Sequence, residues 1–332
     1  MNNVIEHIRQ FPEKHILVIG DLIVDKYITG RVERVSPEAP IPIVIQEKVD
    51  YRPGGAANVA LNLHELGVKC SLLTVMGNDD LARRAAEQLP FLLNKDEAFI
   101  SDDSRITTCK TRVMAHLHHI VRIDEEDLTP VSDEITTEIL HRVDLLHQAT
   151  HIDAVILQDY EKGVFHEGNI STIIKHLKQM NIPVIVDPKD KNFWLFKDVT
   201  IFKPNKGETE KALGLKIELN ETTLALVDSL LRDRLHHSIT ALTLSDQGIY
   251  LNNEIESLWL TSHKIEVLDV CGAGDAVISI IAAMYITGAS LEEMATVSNI
   301  GGGIVCEISG VAPVKLEKLL IECEEKFIKL LT

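Results

Sequence analysis

Short runs of aliphatic and β-branched residues alternate along the chain with longer stretches in which apolar residues recur at helical spacing. The runs that predict buried strands are 15–20, 154–158, 183–187 and 240–244. The stretches that predict helices are 56–66, 133–148, 169–180 and 224–235. Because strand, helix and parallel strand form a crossover unit, this alternation predicts an α/β fold. It is a doubly wound, mostly parallel sheet with helices on both faces.

Two segments interrupt the alternation and predict extended structure of another kind. The segment 27–51 contains Pro37, Pro40 and Pro42, whose spacing excludes a helix and predicts an edge strand outside the main sheet. The segment 105–124 alternates polar and apolar residues. Together they predict a small antiparallel β lid over the carboxyl edge of the sheet. Exposed flat strands pair readily with another chain, so the β lid is also the predicted surface of a homodimer.

Composition narrows the classes of protein and partner. With 332 residues and 45% hydrophobic content, the chain can bury one large core or two modest ones. Its formal net charge of -17 argues against a nucleic-acid partner and favours small-molecule ligands. The five cysteines are scattered without a CxxC pair, residues 1–14 lack the apolar core of a signal peptide, and no apolar run is long enough to span a bilayer. We therefore expect a cytoplasmic protein with reduced thiols and no membrane partner.

Polar residues follow the predicted strands, at the edge where parallel sheets bind ligands. Asp21 and Asp25 follow the first strand, Asp159 and Asp187 come at the ends of the next two, and Ser245 follows the fourth. Any one of them could be an ordinary turn or helix-cap residue. Their common position favours a ligand site.

The most informative motif is the segment 268–275, a glycine-rich turn with a carboxylate near each end. An apolar run of small residues follows, so the turn is predicted to open a helix. The backbone amides of Gly272, Ala273 and Gly274 can then face a phosphate, while Asp275 accepts a proton from an attacking hydroxyl. The alternative is that Asp275 only stabilises the positive end of the helix dipole.

The motif Gly54-Gly55-Ala56-Ala57-Asn58 resembles the first signature of the ribokinase-like (PfkB) sugar kinases, and the segment 269–275 resembles the second. The two occur in the expected order, and the resemblance extends over nearly the whole chain. It implies a single ribokinase-like kinase domain over 1–332, with the β lid inserted at about 27–51 and 105–124.

Four further segments, 20–25, 36–42, 52–58 and 159–163, resemble the bacterial heptose 7-phosphate kinases within that family. The resemblance implies ATP-dependent phosphorylation of the anomeric C1 hydroxyl of D-glycero-D-manno-heptose 7-phosphate, a step towards the ADP-heptose of lipopolysaccharide cores. Many such kinases are fused to an adenylyltransferase. Because this chain ends soon after its last predicted helix, we expect a kinase without that domain, whose adenylyltransferase is a separate partner.

The resemblance also implies roles for individual residues, with ATP as donor. The implied nucleotide-binding residues are Asn205, Glu208, Ser245, Gly248, Asn299, Gly302 and Gly303. The implied substrate-binding residues are Asp25, Gly54, Gly55, Asn58 and Asp159, with Lys110, Arg112, Arg122 and Lys162 as cations for the phosphate that the substrate already carries. The alternative for the loop at Asn205 and Glu208 is a simple helix cap, and for the glycines of 302–303 it is close helix packing.

Metal ions are expected at two places. Asn205 and Glu208 would hold Mg²⁺ mainly through water, since this hard cation keeps several of its waters. Asp269 lies where the family often has a monovalent cation, here potassium if the site exists. His116, His118 and His119 are interpreted as polar strand residues, because no Asp, Glu or Cys stands near them at ligand spacing.

Two departures from the family pattern leave the specificity open. Cys271 stands where the family usually has Thr, and Lys206-Gly207 replaces the Leu-Ser usual in heptose kinases. The alternatives are therefore a PfkB-family kinase of another sugar or sugar phosphate, and a non-catalytic sensor of a sugar or nucleotide. A purely structural protein would leave the glycine turns unexplained.

Overall fold

The computed structural model describes residues 2–116, 118–262 and 266–329. Its helices are α1 (Asn2–Arg9), α2 (Ala56–Glu65), α3 (Asp80–Glu87), α4 (Lys95–Ala98), α5 (Asp133–Ala149), α6 (Ile170–Gln179), α7 (Lys206–Leu213), α8 (Glu221–Leu235), α9 (Ala273–Ile286), α10 (Leu291–Cys306) and α11 (Leu316–Lys329). Its strands are β1 (His15–Gly20), β2 (Leu22–Val35), β3 (Pro42–Gly55), β4 (Lys69–Met76), β5 (Phe99–Ser101), β6 (Cys109–Ala115), β7 (His118–Glu125), β8 (Ala154–Gln158), β9 (Val184–Asp187), β10 (Ile201–Phe202), β11 (Ile239–Thr243), β12 (Ile249–Asn252) and β13 (Ser257–Leu260).

The main sheet has the strand order β13-β12-β11-β10-β9-β8-β1-β4-β5. Its pairs are parallel from β5 through β11, and β12 and β13 add an antiparallel edge. Helices α2, α9 and α10 contribute to the core on one face, and α5, α6 and α8 to the core on the other. The predicted α/β fold, mostly parallel with helices on both faces, is confirmed.

Strand β1 shows why the sheet is covered on both sides. Its residues are all buried, and their side chains alternate between the two cores. Ile16 and Val18 pack with α2 and α9, whereas Leu17 and Ile19 pack with α5 and α6. A continuous apolar run is what a strand buried on both faces requires. In the sheet, β1 lies between β8 and β4, so its carboxyl end opens beside theirs.

The β lid is a separate sheet with the order β3-β2-β6-β7. The prediction of a wholly antiparallel lid is wrong at one pair, because β2 and β6 run parallel. The segment 27–51 is also not one edge strand. The chain turns in the proline-rich stretch after Val35, and β3 returns antiparallel to β2 as far as Gly55. Leu117, inside the predicted segment 105–124, lies outside the described residues.

Among the described residues, none of the helices combines the length and the apolar character needed to cross a membrane.

Candidate active site

Asp275 lies in the first turn of α9, beneath the glycine turn, and only 4% of it is exposed. Gly272 precedes the helix with a φ of 84°, a left-handed conformation that favours glycine. A Cβ on Gly272 would lie 3.0 Å from the Asn58 amide nitrogen, so glycine at this position brings the turn against α2. The predicted turn and its carboxylate thus sit at the carboxyl edge of the main sheet.

Side chains from three other parts of the fold converge on Asp275. Asn58 Nδ2 donates to Oδ2 at 2.7 Å, and the Tyr160 hydroxyl donates to Oδ1 at 2.8 Å. Gln158 Nε2 lies 3.4 Å from Oδ1. Burial raises the pKa of Asp275 to about 6, although the bonds from Asn58 and Tyr160 act in the opposite direction. A carboxylate with this pKa can accept a proton near neutral pH, which a dipole-stabilising role alone does not require.

Lysine and carboxylate side chains surround this group. Lys203 is 2% exposed and its Nζ lies 3.0 Å from Asp187 Oδ1. Lys189 Nζ lies 2.5 Å from Glu208 Oε1. Although burial opposes it, the carboxylates of Asp187 and Glu208 raise the pKa of Lys189, so its charge is retained. Two ammonium groups therefore stand near the carboxylates of a site predicted to hold phosphates.

Asn205 and Glu208 form a capping box at the start of α7. Asn205 Oδ1 accepts from the Glu208 amide at 2.9 Å, and Glu208 Oε2 accepts from the Asn205 amide at 2.9 Å. Since Oε1 pairs with Lys189, both carboxylate oxygens of Glu208 have protein partners. The donor set therefore suits Mg²⁺ held through water rather than directly. In the described parts of the chain, no group of three or more His, Cys, Asp or Glu side chains is placed to hold a metal.

The remaining nucleotide candidates gather at the end of β13 and on α10. A Cβ on Gly248 would lie 2.0 Å from the Leu260 carbonyl, so this turn packs against the strand end. Asn299 Nδ2 donates to the same carbonyl at 2.9 Å and anchors α10 there. Ser245 begins the preceding 3-10 turn with a φ of 58°. Gly302, whose Cβ would lie 3.1 Å from Val277, packs α10 on α9, and Gly303 is half-buried beside it.

On the sugar side, Asp25 of β2 is buried and forms an ion pair with Arg112 of β6. A Cβ on Gly54 would lie 2.3 Å from Asp25 Oδ2, so only glycine lets β3 come this close. Gly55 has a φ of 59°, and its Cβ would lie 2.4 Å from the Asp21 carbonyl. Gly54 therefore lets β3 approach the Asp25 carboxylate, and Gly55 lets it approach the backbone just before β2.

A group of cations lies beside Asp25. Lys110 is half-buried, and its pKa is lowered by burial first and then by the nearby charges of Lys162 and Arg122. Lys162 pairs with Glu126 at 2.8 Å, and Arg122 pairs with Asp124 at 2.8 Å, but Lys110 has no ion pair among the described residues. The carboxylates of Asp124 and Asp25 act in the opposite direction, but an ammonium group near other cations and without an ion pair of its own is a favourable partner for an anion.

Asp159 does not have the open position that a substrate contact needs. It is fully buried, and its carboxylate accepts from the Glu161 amide at 2.8 Å and from Asn192 Nδ2 at 2.9 Å. Burial and the charge of Asp21 raise the pKa of Asp159 to about 7. Asp21 in turn accepts from three amides of the loop after β8, at Tyr160, Lys162 and Val164. These buried carboxylates shape the loop, so the predicted contact of Asp159 with substrate is not supported.

Asp269 ties the glycine turn to the loop after α10. Its Oδ1 accepts from the Cys271 amide at 3.0 Å, and its Oδ2 accepts from the Gly310 amide at 2.9 Å. Although burial opposes it, these bonds lower the pKa of Asp269. The side chain also lines a cavity of about 220 Å³ against the inner face of the β lid, with His116 and His119.

Sequence reasoning missed Tyr160, Gln158 and Lys203. Asn58, expected at a sugar hydroxyl, contacts the Asp275 carboxylate. The signal for Lys203 was a lysine directly after a strand in a buried region, while nothing in the sequence singled out the hydroxyl of Tyr160.

Comparison with known proteins shows the family to which the chain belongs. Residues 13–318 match the pfkB family carbohydrate kinase domain. The bifunctional protein HldE of Gluconobacter oxydans is 35% identical over 306 residues, 92% of this chain and 63% of that protein. The bifunctional protein HldE of Helicobacter pylori is 34% identical over 318 residues, 96% of this chain and 68% of that protein. The chain therefore spans 63% to 68% of the length of these two relatives.

Solved structures share the fold. Ribokinase of Arabidopsis thaliana, complexed with ribose and ATP, matches with a TM-score of 0.72 at 18% identity, covering 93% of this chain and 98% of that one. Phosphofructokinase-2 of Escherichia coli matches with a TM-score of 0.75 at 13% identity, covering 94% and 99%. At these identities the likeness shows a ribokinase-like fold, and the domain match identifies the family. The chain belongs to the pfkB family of carbohydrate kinases.

Proposed function

We propose that this kinase transfers the γ-phosphoryl group of ATP to the C1 hydroxyl of D-glycero-D-manno-heptose 7-phosphate, giving the 1,7-bisphosphate that precedes ADP-heptose. The observation that carries the proposal is the buried carboxylate of Asp275, held beside the Asn58 amide and under the glycine turn. The choice of sugar is supported by the sequence resemblance of the segments 36–42 and 159–163 and by the cations beside Asp25.

Asp275 is the proposed general base. Its carboxylate takes the proton of the C1 hydroxyl, the sugar oxygen forms a bond to the γ-phosphorus, and the bond to the ADP oxygen breaks. With a pKa of about 6, Asp275 is mostly ionised at neutral pH yet basic enough to take the proton. The amides of Gly272, Ala273 and Gly274 stabilise charge on the transferring group.

The nucleotide is proposed to lie over the carboxyl ends of β9, β10 and β11. Bound Mg²⁺ would neutralise phosphate charge, and Asn205 and Glu208 would hold it through water. Lys189 and Lys203 add fixed positive charge beside the phosphates. The base and ribose would be lined by Ser245, Gly248, Asn299, Gly302 and Gly303. A monovalent cation, potassium, is proposed near Asp269.

The far end of the substrate is proposed to meet the cations of the β lid. Asp25 would accept from sugar hydroxyls, with Gly54 and Gly55 allowing the sugar close to the backbone. Lys110 would bind the 7-phosphate directly, because it has no ion pair of its own among the described residues. Arg112, Arg122 and Lys162 add positive potential, although each already has a carboxylate partner.

The β lid is also proposed to pair two copies of the chain. Val35, Ile41 and Ile123 on its strands and turn are 62%, 57% and 51% exposed. Pairing would bury these apolar side chains. Light scattering of wild type beside the double variant Val35→Lys/Ile123→Lys tests this, with a dimer expected only for wild type. A monomeric wild type would contradict the proposal.

The test of the proposed function is MgATP turnover with a panel of acceptors: heptose 7-phosphate, fructose 6-phosphate, ribose and a nucleoside. We expect heptose 7-phosphate to have a kcat/KM at least about a hundredfold above the others, since only its 7-phosphate would bind the ammonium group of Lys110 in the proposed way. Asp275→Asn should lose about 10²–10⁴ in kcat, while Asp103→Asn, the same change at an exposed site, should match wild type.

Three other results would be informative in different ways. A preference for another sugar would overturn the choice of substrate and leave the base in place. Equal rates for wild type and Asp275→Asn would overturn the role of the base. Nucleotide binding without turnover of any acceptor would favour the sensor.

A further inference from the structure

The hydrogen bonds at the two oxygens of Asp275 are unequal. A carboxylate has about four lone-pair positions, two on each oxygen. Oδ1 receives the Tyr160 hydroxyl at 2.8 Å and faces Gln158 Nε2 at 3.4 Å. Oδ2 receives only Asn58 Nδ2, at 2.7 Å, among the described residues. The second position on Oδ2 is therefore the open one.

Oδ2 is also the oxygen on the side of the glycine turn, where the proposed function puts the transferring phosphoryl group. Its partner Asn58 is the residue that a Cβ on Gly272 would approach to 3.0 Å, so Oδ2, the Asn58 amide and the glycine turn lie together. A base must be within hydrogen-bond reach of the hydroxyl that attacks the phosphorus. A hydroxyl that attacks a phosphoryl group held at the glycine turn would therefore reach Oδ2 more directly than Oδ1.

Tyr160 is fixed by contacts at both ends. Its backbone amide donates to Asp21 Oδ2 at 2.8 Å. This buried carboxylate accepts hydrogen bonds from three amides of the loop, including that of Tyr160. Lys189 Nζ lies 5.4 Å from the centroid of its ring, within the range of a cation–π interaction. Burial and the neighbouring Asp275 and Asp187 carboxylates raise the pKa of its hydroxyl well above 10, so it remains a donor.

We propose that Tyr160 is a positioning residue for Asp275, whose hydroxyl occupies Oδ1 so that Oδ2, beside Asn58, takes the proton of the acceptor sugar. The proposal deepens the proposed function and rests on it, because it assumes that Asp275 is the base. Nothing in the sequence resemblance gave Tyr160 this role. A donor at Oδ1 also lowers the pKa that burial raises, so more of the carboxylate is ionised and able to accept a proton.

The test is Tyr160→Phe, which keeps the ring under Lys189 and removes only the hydroxyl. Tyr250→Phe is the matched control, because that hydroxyl accepts from Asn252 Nδ2 in β12, away from the site. The charged or titratable groups facing Asp275 are Tyr160, Asp187, Lys189 and Lys203. All but Tyr160 are unchanged in the variant.

Two readouts are measured on each protein. The first is the pH profile of kcat and kcat/KM with heptose 7-phosphate and MgATP. The second is an NMR titration of the Asp275 carboxyl carbon after aspartate labelling, assigned by its loss in Asp275→Asn. We expect Tyr160→Phe to lower kcat about tenfold, with the KM for ATP unchanged, and to move the acid limb and the NMR titration to higher pH. Tyr250→Phe should move neither.

The two readouts separate the possible failures. If Tyr160→Phe lowers kcat but leaves the acid limb and the titration in place, the role of Tyr160 is merely structural and the proposal is overturned. If the titration moves but wild type phosphorylates no acceptor, the contact between Tyr160 and Asp275 is real and the proposed function has failed, which removes the basis for a catalytic role. A shared melting temperature for the variants shows that lost folding does not explain the rates.

Discussion

Neutralising the proposed base should stabilise the protein as it inactivates it. Asp275 is 4% exposed, and burial is the largest cause of its raised pKa. Folding therefore places a carboxylate where its charged form is disfavoured. Asp275→Asn keeps the size of the side chain, removes the charge and exchanges one acceptor oxygen for an NH2 donor, a change that does not depend on pH and so drops out of a comparison across pH. This is a trade-off between stability and function of the kind often found at active sites.

The size of the effect follows from the shift in pKa. The value rises from 3.8 to about 6 in the folded protein. That rise corresponds to about 3 kcal/mol of free energy of unfolding. Because the folded pKa is the higher one, protonation of Asp275 stabilises the folded protein, and this contribution is complete below about pH 4. It is lost as the pH rises through about 6. The Asp275→Asn side chain does not titrate, so the variant does not lose this stability as the pH rises.

The assay is urea unfolding of wild type, Asp275→Asn and the control Asp103→Asn at a series of pH values between about 4 and 8. Subtracting the free energy of unfolding of wild type from that of Asp275→Asn removes the contributions of most other titrating groups, which the two proteins share. We expect this difference to grow in favour of the variant by up to about 3 kcal/mol across the range. The difference for Asp103→Asn should stay flat. A flat or falling difference for Asp275→Asn would refute the reasoning, because the buried carboxylate would then cost nothing to ionise.

Three further changes have specific expected results. Because burial first, and then Asp269, raises the pKa of the Cys271 thiol to about 11, iodoacetamide at neutral pH should leave this residue unmodified in peptide mapping, whereas rapid labelling would contradict its environment. Arg112→Met should lower the free energy of unfolding by about 3 kcal/mol by stranding the buried carboxylate of Asp25, and adding Asp25→Asn should recover most of it; no recovery would mean that the pair is not the cause. Gly54→Ala, whose Cβ would lie 2.3 Å from Asp25 Oδ2, should abolish binding of the sugar phosphate in calorimetry and spare ATP binding; normal sugar binding would show that β3 can yield.

The sequence predicted the parts of the fold that local pattern controls. Continuous apolar runs predicted β1, β8, β9 and β11 to within a residue or two, because strands buried on both faces admit little else. Pairing between distant strands was beyond this kind of reasoning. Alternation in the β lid predicted strands but could not show that β2 and β6 run parallel, since both directions give the same pattern.

The candidate site was predictable where backbone geometry imposes a residue type. Glycines at 54, 55 and 272 are required by close approach or by positive φ, so they appear in the sequence as motifs. The sequence could not show that the Asp159 carboxylate is buried and bonded to its own loop, because such a carboxylate and an open one at a strand end look alike in sequence. Tyr160 was missed because its role depends on a hydroxyl reaching across from a loop more than a hundred residues away in the chain from Asp275.

The most direct test of the central claim is to identify the product by ³¹P NMR after incubating the wild-type kinase with heptose 7-phosphate and MgATP. The account predicts a new phosphorus signal coupled to the anomeric proton of the sugar, with the 7-phosphate retained and ADP formed in equal amount. A phosphate on any other carbon, or ADP without a new sugar phosphate, would contradict it.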